Sequence, residues 1–201
     1  MTDNIEEILD QVFLPQFKDH LYTLLKGKRE CKLFEENNNG NIHTKPYEIN
    51  INIPEDMEND DLILFKNIEQ FKSEIKLFNQ ESPKDCDYIL VNLSKKSAYL
   101  FELKDTSTSF KHIVHQLLAG KQWLSFFLFL LDGDEETPIQ AKNNLLNNWN
   151  LTYTHAKYSP RPQLTGRNSS SYPTNLFENS ILINKTRSSS IQLNHLTQVN
   201  K

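Results

Sequence analysis

Cysteine is scarce in this chain. Cys31 and Cys86 are its only two thiols among 201 residues, too few for a disulfide framework and without the spacing of a metal-binding cluster. This scarcity favours a reduced, cytoplasmic setting. The N-terminus is acidic and has no basic stretch leading into an apolar one, so we expect no secretory signal.

The chain also lacks a long apolar run and an excess of basic residues. Its most apolar segment, residues 123–131, is far too short to span a bilayer and should be buried core, so we expect no membrane partner. The 22 Lys and Arg stand against 26 Asp and Glu, a net charge of −4, so any nucleic-acid contact must be a local patch. A hydrophobic share of 37% is typical of a globular protein. We expect a single domain over residues 1–201.

Hydrophobic periodicity in the first half predicts two helices and a strand. Residues 5–25 carry an apolar stripe at helical spacing, which Pro15 should kink or divide. Residues 47–53 alternate between apolar and polar side chains and predict a short strand. Residues 64–78 return to helical spacing and predict the second helix.

Two apolar segments, 86–92 and 97–104, flank a short polar turn and predict a β-hairpin. If that turn is symmetric, Asp87 lies opposite Glu102. Directly opposed residues have Cβ atoms about 4.5–5.5 Å apart, close enough for both carboxylates to hold one divalent cation. Lys104 shares the face of Glu102 because residues two apart in a strand point the same way. A register slip of two keeps these residues on one face, whereas a slip of one separates them.

The second half begins with a long predicted helix over residues 110–131. Its three phenylalanines near the end should be core, although its last six residues are apolar on every side and fit a strand equally well. A further helix is predicted at 138–148, a strand at 151–158, and short strands at 181–184 and 191–196. Helices alternating with strands in this way predict an α/β fold.

An acidic residue on one strand, followed by Glu-x-Lys at the end of the next, resembles the PD-(D/E)XK nuclease superfamily. The resemblance implies a restriction-endonuclease-like fold, an α/β domain with a mixed central sheet flanked by helices and a catalytic core at about 84–131. It implies that Asp87 and Glu102 bind Mg²⁺ or Mn²⁺ and that Lys104 is the catalytic lysine. Gln116, on the following helix, matches a glutamine that some members place near the metal.

These residue types suit the hydrolysis of a phosphodiester. Mg²⁺ prefers oxygen ligands and keeps several waters, and it lowers the pKa of a bound water while acting as a Lewis acid on the phosphate. A lysine beside the carboxylates would orient that water or offset developing negative charge. The resemblance therefore implies a metal-dependent endodeoxyribonuclease whose partner is DNA.

Two positions depart from the family pattern. Cys86 precedes Asp87, so the proline–aspartate pair is absent, and Asp85 competes for the acidic role although it precedes the apolar strand. In exonuclease-like members a tyrosine follows the helix glutamine by four positions. Gly120 occupies that position here, which disfavours that branch.

Several other residues have a functional interpretation beside a structural one. His112 and His115 fit the polar edge of a helix better than a metal pair, because no further Cys or His ligand is near in sequence. The basic segments 157–167 and 185–187 suit either a nucleic-acid backbone or an ordinary surface. Some of these nucleases carry an additional acidic residue. Candidates for it are Glu30, Glu35 and Glu36.

Two alternatives to the isolated nuclease are open. The chain can be a non-catalytic module of the same fold that binds a nucleic acid or a protein, which its acidic net charge favours. It can also be a subunit of a larger defence or repair complex, active only with its partners. A homodimer is a further possibility, because a duplex has two strands to cut.

Overall fold

The computed structural model shows a mixed α/β protein with a larger mixed sheet, a smaller sheet and helices. The residues that it describes are 5–35, 47–74, 84–104, 109–131, 145–158, 170–172 (backbone only) and 183–197.

The strands, in chain order, are β1 (Tyr22–Leu24), β2 (Glu30–Glu35), β3 (Tyr47–Asn52), β4 (Leu62–Lys66), β5 (Tyr88–Asn92), β6 (Ser97–Leu103), β7 (Asn150–Lys157), β8 (Ser170–Tyr172), β9 (Ile183–Arg187) and β10 (Ser190–Gln192). The α-helices in the described residues are α1 (Ile5–Val12), α2 (Ile68–Glu74), α3 (Phe110–Leu131) and α4 (Leu193–Thr197), with short 3-10 turns at Pro15–Phe17 and Glu55–Met57.

The larger sheet has seven strands in the spatial order β1-β4-β5-β6-β7-β9-β8. Strands β1, β4, β5 and β6 pair with one another antiparallel, β6, β7 and β9 are mutually parallel, and β8 pairs antiparallel with β9. The smaller sheet has the order β10-β3-β2. Strand β6 is therefore the point at which the large sheet changes from antiparallel to parallel pairing.

Two hydrophobic cores lie on opposite faces of the larger sheet. One packs α1 and α3 against the face that carries Ile89, Leu100 and Tyr153. The other packs β2 and β3 against the face that carries Leu90 and Phe101. Because residues two apart share a face, the even-numbered side chains of β6 lie on the α3 side.

The β5–β6 hairpin is confirmed, with the register expected from a symmetric turn. Asn92 pairs with Ser97 and Tyr88 with Phe101. One residue before β5, the same register places Asp87 opposite Glu102.

The helix predicted over residues 5–25 is wrong beyond its first half. Helix α1 ends at Val12, a 3-10 turn begins at Pro15, and β1 follows. Pro15 has no N–H with which to continue the helical hydrogen bonds. Tyr22 instead pairs with Phe65 at the edge of the large sheet, so tertiary pairing decides the conformation of this segment.

The helix predicted over residues 64–78 begins too early. Strand β4 occupies the first positions, α2 begins at Ile68, and residues 75–78 lie outside the described ones. The first four residues of β4 are buried. A strand buried on both faces has a continuous apolar run, which periodicity does not distinguish from a helix.

Helix α3 is confirmed and continues to Leu131, so its last turns are helical. Phe127 is fully buried, but Phe126 and Phe129 are 46% and 49% exposed, and the expectation that all three are core is wrong for these two. By length and composition alone, α3 could cross a membrane; half of its most apolar window is buried inside the protein. That buried side packs on β5 and β6.

The remaining predictions have mixed outcomes. The strands at 47–53 and 151–158 are confirmed as β3 and β7, and the first late strand corresponds to β9. The second late strand is confirmed only at its start, because β10 passes directly into α4. The predicted helix at 138–148 falls largely outside the described residues, and residues 145–148 form turns.

Candidate active site

Three ionisable side chains meet at the end of β6, as the hairpin register predicts. The Leu103 backbone N–H donates a 2.6 Å hydrogen bond to Asp87 Oδ2, which fixes the aspartate across the hairpin. Lys104 Nζ lies 2.8 Å from Glu102 Oε1 and 4.0 Å from Asp87 Oδ2. The structure therefore brings Asp87, Glu102 and Lys104 together.

The Glu102 carboxylate is the most buried member of this group. Its side chain is 0% exposed, whereas those of Asp87 and Lys104 are 26% and 22% exposed. Beyond the 2.8 Å contact with Lys104 Nζ, no described group gives either Glu102 oxygen a well-formed hydrogen bond. A buried carboxylate with so few donors is costly when it is ionised.

The donor set of this site fits a hard divalent cation. Two carboxylates supply the oxygen ligands that Mg²⁺ prefers, and Mg²⁺ commonly uses only one or two protein carboxylates together with water and phosphate oxygens. No group of three or more His, Cys, Asp or Glu in the described part of the chain is arranged to hold a metal. Water and substrate would therefore have to complete the coordination of an ion held by Asp87 and Glu102.

The electrostatics of the site follow from burial and crowding of like charges. Burial, and then the nearby Asp87 charge, raise the pKa of Glu102 to about 9, against the opposing effect of Lys104. Burial also raises the pKa of Asp87. The two carboxyls therefore titrate as one unit rather than independently. Burial opposes the charge on Lys104, but Asp87 and Glu102 outweigh it and raise the pKa of the ammonium.

Two further carboxylates act on this site. Glu35, at the end of β2, interacts electrostatically with both Glu102 and Lys104. Glu69, in the first turn of α2, interacts with Asp87. Of the three candidates from sequence, Glu35 is therefore the one that the structure connects to the site, and Glu36 lies outside the described residues. Glu69 was missed, since nothing in its spacing relates α2 to the hairpin.

Gln116 is buried on α3, and its described contact is with the chain just before Asp87. Its Nε2 donates a 3.2 Å hydrogen bond to the Asp85 carbonyl, and its side chain is nearly inaccessible, with 4% exposure. Its Oε1 has no hydrogen-bond partner among the described residues. Among the described residues, no hydrogen bond joins Gln116 to Glu102. The catalytic role of Gln116 therefore stays a prediction.

Asp85 is committed to a structural ion pair. Both of its carboxylate oxygens accept hydrogen bonds from Lys72 Nζ, at 2.8 and 2.9 Å, and its side chain is 1% exposed. Lys72 also lies over the Trp123 ring, 5.8 Å from its centroid. The ion pair ties α2 to the segment before β5, and the ring contact ties α2 to α3. Because Asp85 is engaged in this way, Asp87 is left as the aspartate of the site.

Gly120 allows α3 to approach the hairpin closely. A Cβ atom at this position would lie 2.2 Å from Cys86 Sγ and 3.2 Å from Leu100 Cδ2, which is too close for any larger side chain. The glycine that departs from the exonuclease-like pattern thus has a packing reason. A tyrosine here would force the helix away from β5 and β6.

His112 and His115 lie on the exposed side of α3, as expected for a polar helix edge. Together with Lys84, Gln116 and Gln122 they line an open cleft of about 480 Å³. Neither histidine belongs to a metal-binding group in the described part of the chain.

A residue that the sequence did not suggest lies on the other side of Glu102. His155, on β7, is its direct partner in the parallel register and is 3% exposed. Burial, followed by Lys157, Lys185 and other nearby cations, lowers the pKa of His155 to about 4. The imidazole is therefore neutral at neutral pH. Residues 159–167 of the predicted basic loop lie outside the described residues.

Comparison with known proteins gives no relative. No protein-family model, curated protein or solved structure matches this chain.

Proposed function

We propose that the protein is a Mg²⁺-dependent deoxyribonuclease of the PD-(D/E)XK type, built on the restriction-endonuclease-like fold. The observation that carries this proposal is the meeting of Asp87, Glu102 and Lys104 at one end of a buried hairpin, with the Glu102 carboxylate fully inaccessible. The topology is consistent with the finer fold assignment. Three antiparallel strands, β4, β5 and β6, are followed by α3 and then by a strand parallel to β6.

Each side chain has a distinct task in phosphodiester hydrolysis. Asp87 and Glu102 would hold the ion, which supplies Lewis-acid polarisation of the phosphate and a lower pKa for attacking water. The Leu103 N–H holds Asp87 in place, so the carboxylate does not have to be ordered when a ligand arrives. Lys104 remains charged and offsets the negative charge that develops on the phosphate oxygens.

The first experiment measures cleavage of single- and double-stranded DNA with Mg²⁺ and with EDTA. The native chain, Glu102→Gln and Lys104→Met are purified in parallel, with Glu7→Gln as a control that removes one exposed carboxylate on α1. We expect metal-dependent cleavage by the native chain and the control, and its loss in both site variants. Cleavage that persists in Glu102→Gln and Lys104→Met would refute the assignment.

A non-catalytic binding module is the second candidate, favoured by the lack of a third acidic ligand at the site in the described residues. The two candidates differ in their response to metal. A ligand present at 100 times its Kd stabilises the folded state by about 2.7 kcal/mol, so a metal site predicts a rise in Tm with millimolar Mg²⁺. A module without such a site predicts no rise, and Glu102→Gln supplies the reference.

A further inference from the structure

Basic side chains extend the row of residues that begins at the carboxylates. In the parallel ladders Glu102 lies beside His155, and His155 beside Lys185. Two residues further along β7, Lys157 lies beside Arg187 of β9. Directly opposed residues project from the same face of a sheet. The basic residues of β7 and β9 therefore share a face with Glu102.

Burial and charge both indicate that Lys157 and Arg187 are available to an anion. Arg187 is exposed and Lys157 is half-buried. Among the ion pairs between described residues, none engages Lys157 or Arg187 with a carboxylate. Lys157 and Arg187, together with Lys104 and Lys185, lie close enough to His155 to disfavour its protonation.

The spacing of the row suits a nucleic-acid strand. Neighbouring strands in a sheet are about 4.8 Å apart, which places β9 about 10 Å from β6. One nucleic-acid strand advances about 3.4 Å per nucleotide along the helix axis. Because successive phosphates also wind around that axis, a separation of about 10 Å spans only one or two nucleotides, so a phosphate held near Arg187 would be a near neighbour of one bound through a cation at Glu102.

We propose that Lys157, Lys185 and Arg187 form a phosphate-binding row that holds a DNA strand alongside the carboxylate site. The proposal rests on the proposed function for the identity of the strand as substrate, but the binding itself does not require cleavage. Contacts to phosphates position the strand without reading its sequence. The row is also the local basic patch that a chain of net charge −4 needs in order to bind DNA at all.

The test is the salt dependence of binding to a fluorescein-labelled 20-nucleotide DNA, single- and double-stranded, in EDTA to prevent cleavage. The proteins are the native chain, Lys157→Ala, Arg187→Ala and the double variant. Lys28→Ala is the matched control, because Lys28 is exposed and follows β1 at the opposite end of the sheet. Each lost phosphate contact reduces the magnitude of the negative slope of log K against log salt by about one. We expect this magnitude to fall by about one in each single variant and by about two in the double variant, and to stay unchanged in the control.

Unchanged slopes in all three row variants, or no DNA binding by the native chain, would overturn the proposal. Folding is checked by the Tm of each variant in EDTA, which replacement of the half-buried Lys157 or the exposed Arg187 should leave close to that of the native chain. If the native chain binds DNA through the row but does not cut it, the row stands and the nuclease proposal fails. If it cuts DNA and the variants keep the native slope, the row fails and the nuclease proposal stands.

Discussion

Glu102→Gln should remove a pH-dependent loss of stability from this protein. The pKa of Glu102 is raised from 4.5 in its ordinary state to about 9 in the folded chain. Between these values the folded state keeps a proton that the unfolded state has released. The folded-state advantage from this carboxyl is therefore complete below pH 4.5 and is lost as the pH rises towards 9.

The magnitude follows from the linkage relation. One proton held by the folded state alone changes the free energy of unfolding by about 1.4 kcal/mol per pH unit. The full slope applies if one proton stays on the Asp87–Glu102 unit throughout the interval. Glutamine keeps the shape of the protonated side chain and does not titrate. Without metal, Glu102→Gln should gain on the native chain by about 3 kcal/mol between pH 5.5 and pH 7.5, from the same slope.

Urea unfolding at half-unit pH intervals from 5 to 8.5, in EDTA, measures this difference directly. Glu7→Gln corrects for the removal of one negative charge from the whole chain, because Glu7 is exposed on α1. Parallel stability curves for the native chain and Glu102→Gln would show that Glu102 is not held protonated by burial, and would refute the reasoning. Addition of Mg²⁺ should reverse the order, since only the native chain retains both carboxylates.

Two further changes test the packing that supports the site. Gly120→Ala should lower the free energy of unfolding by about 1–3 kcal/mol, because the new methyl group meets Cys86 Sγ. Chemical denaturation should show that the double variant with Cys86→Ala recovers most of this loss. Additive effects of the two substitutions would contradict the contact. Lys72→Met should lower the free energy of unfolding by about 3–5 kcal/mol, because it leaves the buried Asp85 carboxylate unpaired. Asp85→Asn in the same chain should restore much of that stability. If the double variant is as unstable as Lys72→Met alone, the ion pair is not the cause of the loss.

The hairpin could be predicted from sequence because its geometry is local. Its two strands are joined by a short turn, so one assumption about the turn fixes every pairing, including Asp87 opposite Glu102. The same reasoning failed at β4, whose apolar run reflects burial between two cores rather than the period of a helix. Periodicity also did not find β2, whose last residue, Glu35, reaches the site from the smaller sheet.

The basic row was beyond sequence reasoning for a related reason. Residues near 155 and 185 each belong to short segments whose charge suits an ordinary surface as well as a binding site. Only the parallel ladders, which join strands about 50 and 30 residues apart in the chain, place Lys157 beside Arg187 and both on the face of the sheet that carries Glu102. No local turn sets that register, so the numbering carries no information about it.

The position of β6 in the sheet explains how acidic and basic groups come to share one site. Its antiparallel neighbour, β5, begins where β6 ends, so the residue before β5 supplies Asp87 to the end of β6. Its parallel neighbour, β7, ends at the same end of the sheet and supplies His155 and Lys157. In a wholly parallel sheet no neighbouring strand would start at this end. In a wholly antiparallel sheet successive strands would not all finish at this end. The change of strand direction at β6 thus places the proposed cation-binding carboxylates, Asp87 and Glu102, on the same face of the sheet as the basic side chains of β7 and β9.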